Sequence, residues 1–129
     1  MKFRSPGLVS YEDGLERQIE ARERVAAGGE DEVLVLEHEP VVTLGKRGGD
    51  WDEDHLKRLE THVVQTDRGG LATWHGPGQL VAYPIVDLRR AGLSVPEFVE
   101  RLGQAMVAVC LEAGIQGVAY DADRPGVYV

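Results

Sequence analysis

Two serine-capped helices bracket a long series of short, valine-rich segments punctuated by glycine, and few folds accommodate that pattern. Ser10-Tyr11-Glu12-Asp13 sets a serine cap ahead of an acid three residues on, which predicts a helix from there to about Ala27. Gly28-Gly29 stops it, because glycine takes left-handed geometry without strain. Ser94-Val95-Pro96-Glu97 is a second capping box, with proline in a first turn where its missing N–H has no intrahelical partner. The helix it opens sets Phe98, Leu102, Ala105, Val109 and Ala113 on one stripe and ends at Gly114. Between the helices, Glu32 to Glu37 (EVLVLE) and Val41 to Leu44 are too short for buried helices and rich in valine, hence strands. Gly45 to Asp50 reads as a turn and Asp52 to Leu59 as a short polar helix. His62 to Asp67, Ala72-Thr73-Trp74 and Leu80 to Leu88 read as further strands. Pro84 lacks an N–H and marks an edge or a bulge in the last of these. Gly126 to Val129 begins another apolar strand, where the chain ends; the expectation is an unpaired edge and, from it, association. The order α-β-β-α-β-β-β-α-β mixes strand pairs with single helices. It predicts an α+β fold, a mixed sheet with helices packed over one face, rather than a doubly wound sheet. With no repeat or linker, residues 1–129 read as one domain.

Composition narrows the partners. The chain of 129 residues is 43% apolar and 28% charged, the balance of a globular protein. Its formal charge of −8 argues against a nucleic-acid binder, and against broad attraction to anionic membranes or acidic proteins. The basic pairs Lys46-Arg47 and Arg89-Arg90 read as solvated surface. The opening MKFRSPG has no apolar stretch, no run approaches the ~20 residues that span a bilayer, and a single cysteine suits a reducing compartment. The expectation is a cytoplasmic domain.

Chemistry concentrates in Arg68 to Pro84, RGGLATWHGPGQLVAYP, where glycines and a proline surround Arg68, Thr73, Trp74, His75 and Gln79. Glycine lets backbone approach a ligand closely. Nucleotide readings fail: the third glycine of G-x-G-x-x-G falls on Val81 with no capped helix after it, and Gly45-Lys46-Arg47-Gly48-Gly49 lacks the ending of a phosphate loop. No metal is expected, since the histidines lack i, i+4 pairing, and no G-x-S-x-G elbow exists. Cys110, mid-helix beside Val109 and Leu111 with no flanking cation, reads as a small buried hydrophobe rather than a reactive thiol. Several roles stay open. His75 is either a ligand-facing donor or a half-buried histidine bonding loop carbonyls. Arg68 either pairs with an anionic group or braces the loop. Trp74 and Tyr83 line an apolar pocket or pack in the core, with packing favoured, and Glu37-His38 is read as ending a strand in structural hydrogen bonds.

These residues together resemble the lipoyl(octanoyl) transferases, relatives of the biotin and lipoate protein ligases. The resemblance is carried by Glu37-His38-Glu39-Pro40-Val41-Val42-Thr43-Leu44-Gly45 and by Arg68 through Ile85, with its R-G-G…H-G-P-G-Q run. Arg124-Pro125-Gly126-Val127-Tyr128-Val129 is similar to the family's R-P-G-V-W-V segment. It spans essentially the whole chain and implies a biotin/lipoate protein ligase-like catalytic domain, incomplete at its C-terminus. It further implies transfer of an octanoyl group from acyl carrier protein, through a cysteine thioester, to a lysine on lipoyl domains of 2-oxoacid dehydrogenases or glycine-cleavage protein. No cofactor is implied, because a thioester is already activated; a ligase spending ATP on a free acid fits the HGPGQ run less well. The acyl-binding stretch would be Arg68, Gly69, Gly70, Leu71, Ala72, Thr73, Trp74 and His75. The family's activating lysine (K-I-A-x-I-G) and nucleophilic cysteine (P-C-G) lie beyond the position of Val129, and neither Lys2, Lys46, Lys57 nor Cys110 matches them. The expectation is therefore no catalytic residue in this chain, with either a complementing C-terminal chain or, as the alternative, a non-catalytic acyl-binding or scaffold subunit.

Overall fold

The first helix starts where the chain offers a cap: the Ser10 hydroxyl accepts the Asp13 N–H at 3.1 Å. The computed structural model describes residues 1–47 and 61–129, with Asp54 and Arg58. Apart from those two residues, the helix expected at Asp52–Leu59 lies outside the described residues, as does part of the turn expected at Gly45–Asp50. The chain divides into two compact units, Met1–Val86 and Asp87–Val129.

The first unit holds β1 (Lys2–Val9), α1 (Tyr11–Ala26), β2 (Glu32–His38), β3 (Val41–Leu44), β4 (His62–Gln65), β5 (Ala72–His75) and β6 (Val81–Ile85). Its strands form two mixed three-stranded sheets, β1-β2-β6 and β4-β3-β5. In each, the central strand has a parallel neighbour on one side (β1 or β4) and an antiparallel one on the other (β6 or β5). The expected α+β class holds, with two mixed sheets instead of one. β1 has no counterpart in the sequence reading, because Pro6 and Gly7 break its apolar pattern. It pairs through that interruption by a register shift between Arg4 and Gly7, where φ is 82°. Pro84 sits on β6, at an edge of its sheet among the described strands.

β2 organises this unit. Every second residue, Glu32, Leu34, Leu36 and His38, is buried, so one pleated face carries an apolar centre with a polar group at each end. Leu34 and Leu36 pack with Val9, Val81, Tyr83 and Ile85. α1 lies over the same face. Its buried Gly14, Ala21 and Val25 point inward, and its Arg24 reaches Glu32. Glu32, only 3% exposed, accepts hydrogen bonds from Arg24 Nε (2.8 Å), Arg24 Nη2 (3.1 Å) and Arg4 Nε (2.6 Å). Those guanidiniums, Arg24 foremost, hold its carboxyl down at about 2. All four residues of β3 are buried, so both of its faces are covered.

The second unit holds α2 (Leu88–Ala91), α3 (Val95–Glu112), β7 (Ala119–Asp121) and β8 (Gly126–Tyr128). The strand expected to run to Leu88 ends at Ile85, because Asp87 caps α2 by accepting the Arg89 and Arg90 N–H groups. The capping box of α3 is complete: Ser94 accepts from Glu97 N, and Glu97 accepts from Ser94 N. The face α3 turns to the hairpin is not the whole Phe98–Ala113 stripe, of which it takes Leu102. Gly103 is its one buried residue, since the Tyr120 ring lies where a Cβ would project. Val99, Leu102 and Met106 flank that contact. β8 pairs antiparallel with β7, so the final strand is not an unpaired edge on both sides. Cys110 is half-buried rather than buried.

Candidate functional site

The glycine-rich segment acquires its shape from short-range rules. Gly76, Pro77, Gly78 and Gln79 make a β-turn closed by Gln79 N–H donating to Gly76 O at 3.1 Å. Proline at the second position and φ of 87° at Gly78 in the third are the demands of a type II turn. The Glu37 carboxylate accepts the Gly78 N–H at 2.7 Å and ties the turn to the end of β2. A side chain at Gly76 would collide with the Trp74 indole. Gly76 thus answers to packing and Gly78 to the backbone geometry of the turn. A second glycine contact lies nearby: Gly45 abuts the Gly69-Gly70 backbone, with Gly45 N donating to Leu71 O and Lys46 N to Arg68 O.

Arg68 braces. Its Nη2 donates to Thr43 O (2.7 Å) and Thr43 Oγ1 (2.9 Å), its Nε to Thr43 Oγ1 (3.3 Å), and its Nη1 to Gly69 O (3.0 Å). Thr43 is 1% exposed on β3, so the fork pins the turn to a buried strand. Trp74 is 49% exposed, Leu71 56% and Leu80 72%; Trp74 is therefore not a core residue.

Around the ends of β2 and β5 stand Tyr11, His38, His75 and Tyr83. His38 is fully buried. Its Nδ1 lies 3.3 Å from Val9 O and its Nε2 2.8 Å from Tyr83 Oη. A carbonyl only accepts, so Nδ1 carries the proton and Nε2 accepts from Tyr83. Burial sets the charges to match: it lowers the pKa of His38 and pushes the Tyr83 hydroxyl up to about 12, while Tyr11 is also raised by burial. The Tyr11 and His75 rings lie 5.4 and 6.0 Å from that of His38. The reading of His38 as a structural hydrogen-bonding residue matches this geometry, and Tyr83 is its partner. His75 Nδ1 lies 2.6 Å from Gln79 Oε1, a side chain rather than a loop carbonyl.

Gly14 is the residue sequence reasoning passed over. A Cβ there would stand 2.5 Å from His38 Cε1. The signal was a glycine inside a well-capped helical run; its partner, distant in sequence on β2, left no local trace. A hollow of about 440 Å³ in this unit is lined by Leu15, Ile19, Asp67, Pro84, Ile85 and Val86, not by the Arg68–His75 stretch. Among the described residues no group of three His, Cys, Asp or Glu side chains could hold a metal, and no helix is long and apolar enough to cross a membrane.

Comparison with known proteins settles the family. Residues 11–129 match the model of the lipoyl protein ligase A/B catalytic domain. The chain belongs to that family. An octanoyltransferase of Mycolicibacterium smegmatis is 44% identical over 130 residues, covering all of this chain and 54% of its own length. One from Pseudomonas entomophila is 45% identical over 127 residues, covering 98% of this chain and 58% of its own. One from Halorhodospira halophila is 52% identical over 99 residues, 77% of this chain and 44% of its own. The chain thus spans about half the length of the curated relatives it matches. Protein Ta0514 of T. acidophilum, solved with lipoic acid bound, shares the fold at a TM-score of 0.62 and 16% identity, covering 100% of this chain and 55% of that one.

Proposed function

We propose that this chain forms part of an octanoyltransferase, acting in transfer of an octanoyl group from acyl carrier protein to a lysine of lipoyl domains. The observation that carries the reading is the similarity, along the whole chain, to relatives named octanoyltransferase. Within it, Arg68, Gly69, Gly70, Leu71, Ala72, Thr73, Trp74 and His75 form one wall of the acyl site. The exposed Leu71 and Trp74 offer apolar surface to a medium acyl chain, and the Arg68–Thr43 clamp keeps the wall in place. Neither nucleotide nor metal enters, because the donor is a thioester and already activated.

The acyl-accepting thiol is not Cys110 in this reading. Cys110 lies well inside α3, away from the helix N-terminus that would favour a thiolate, between Val109 and Leu111. The nucleophile and its activating lysine come from sequence outside this chain.

Mixing the chain with octanoyl-acyl carrier protein tests this by amide chemical shifts and intact mass. The expected result is shifts at Leu71–His75, no octanoyl mass on the chain, and His75→Ala weakening the interaction more than it lowers stability. An octanoyl adduct on Cys110 overturns the assignment of the thiol. Absence of any shift at Leu71–His75 overturns the acyl-site reading.

A further inference from the structure

We propose that Gln79 is a positioning residue that holds His75 as the Nδ1-protonated tautomer, so that Nε2 stands as an open proton acceptor beside the acyl wall. The choice of proton it takes rests on the octanoyl-transfer reading; the tautomer does not.

The assignment follows from three groups in series. The type II turn folds Gln79 back onto the end of β5, where its side-chain amide spans two partners. Its Nε2 lies 3.3 Å from the Trp74 main-chain oxygen, and its Oε1 lies 2.6 Å from His75 Nδ1. A peptide carbonyl can only accept, so the NH2 end of the amide must face Trp74. The amide is thereby oriented, and its oxygen is left facing the imidazole. That oxygen can also only accept, so Nδ1 of His75 must carry the hydrogen. In the neutral ring the lone pair then resides on Nε2. The sequence left His75 open as a ligand-facing donor; the hydrogen bonds make its outward nitrogen an acceptor instead.

His38 shows why this matters. Its ring is 6.0 Å away and has the same tautomer, held by Val9 O, but its Nε2 is already occupied by the Tyr83 hydroxyl, and it is wholly buried. His75 Nε2 has no hydrogen-bond partner among the described residues. The His75 side chain is only partly buried, unlike that of His38. Of these two imidazoles, only His75 can take a proton from something bound.

Aminolysis of a thioester supplies such a proton. The amine nitrogen attacks the acyl carbon, the C–N bond forms and the C–S bond breaks with its electron pair leaving on sulfur as thiolate. The new amide nitrogen must shed one proton. Nε2 accepts it, and the imidazolium returns it to the leaving thiolate, so amine and thioester become amide and thiol with no further reactant.

The test reads the tautomer directly. The full 129-residue chain is labelled with ¹⁵N-histidine and studied at about pH 9, above the ordinary imidazole range, by long-range proton–nitrogen correlation. The parent chain should show His75 as the Nδ1–H tautomer alone. Gln79→Leu should lose that single pattern and populate Nε2–H. Gln79→Glu, whose carboxylate still accepts from Nδ1, should retain it. An Nε2–H pattern in the parent overturns the proposal, as does a folded Gln79→Leu chain that keeps Nδ1–H alone. If Gln79→Leu does not fold, the parent and Gln79→Glu spectra decide, and loss of the Nδ1–H pattern in Gln79→Glu counts against it. A separate titration with octanoyl-pantetheine isolates the functional reading. His75 signals that respond support its place beside the acyl group. If they stay unmoved while the tautomer results hold, the transfer role falls and the Gln79–His75 assignment stands.

Discussion

Gly14→Ala places one methyl group where the fold has no room for it, and the outcome has a definite sign. Alanine in a helix is favoured over glycine by up to about 1 kcal/mol, so on an exposed turn the change would stabilise. Here the new Cβ would stand 2.5 Å from His38 Cε1, against 3.4–4 Å for ordinary contact. The ring must therefore recede by roughly 1 Å, a displacement of the kind that costs about 1–3 kcal/mol in a packed interior. His38 has nowhere to go without stretching its bonds to Val9 O and Tyr83, each worth about 1 kcal/mol. Overpacking plus one weakened hydrogen bond, less the helix gain, leaves a net loss of about 1–3 kcal/mol. Urea unfolding followed by circular dichroism measures it by linear extrapolation. The decisive arm is a double-mutant cycle with His38→Ala, which removes the obstacle. In that background Gly14→Ala should turn neutral or stabilising. If it destabilises equally with and without the imidazole, the steric account of Gly14 is wrong.

Glu32 gives a pH signature. Its carboxyl is held at about 2 in the folded chain, below the ordinary ~4.3 of an unfolded glutamate, so its contribution is present above that unfolded value and is lost as pH falls through about 2. Stability of the parent relative to Glu32→Gln should therefore shrink on acidification across that window, by on the order of 1 kcal/mol, because solvent screens the two arginines, whose side chains are 40% and 41% exposed; a gap independent of pH would count against the pairing. Arg68→Lys should lower stability by about 1–3 kcal/mol, since an ammonium cannot reproduce the fork shared between Thr43 and Gly69. Thermal melts check it, and an unchanged midpoint would show that the clamp contributes nothing.

Local features of this chain were legible because their causes lie within a few residues. Ser10 and Ser94 cap helices by bonds to the third residue on, and Gly28 and Gly114 end those helices with φ of 92° and 85°. VVTL occupies its strand at Val41–Leu44 as expected. β1 escaped because Pro6 and Gly7 violate strand preference, and only pairing with β2 overrides them. The stripe on α3 was legible only in part: Leu102 lies at the hairpin, but the contact centres where Tyr120 settles on Gly103.

For the site, the sequence by itself determined the family and a loop rich in turn-forming glycine. Tertiary structure decided what each group does. Glycines that suggested a cradle for a ligand prove to serve a type II turn and the Trp74 ring. Arg68 turns inward to Thr43, 25 residues away. His38 is fixed by Val9 and Tyr83, at separations of 29 and 45 residues. A donor or acceptor can be named from its residue type, but its partner is whichever group the fold brings within about 3 Å. For an imidazole that partner also selects which nitrogen holds the proton, and so whether His75 gives or takes.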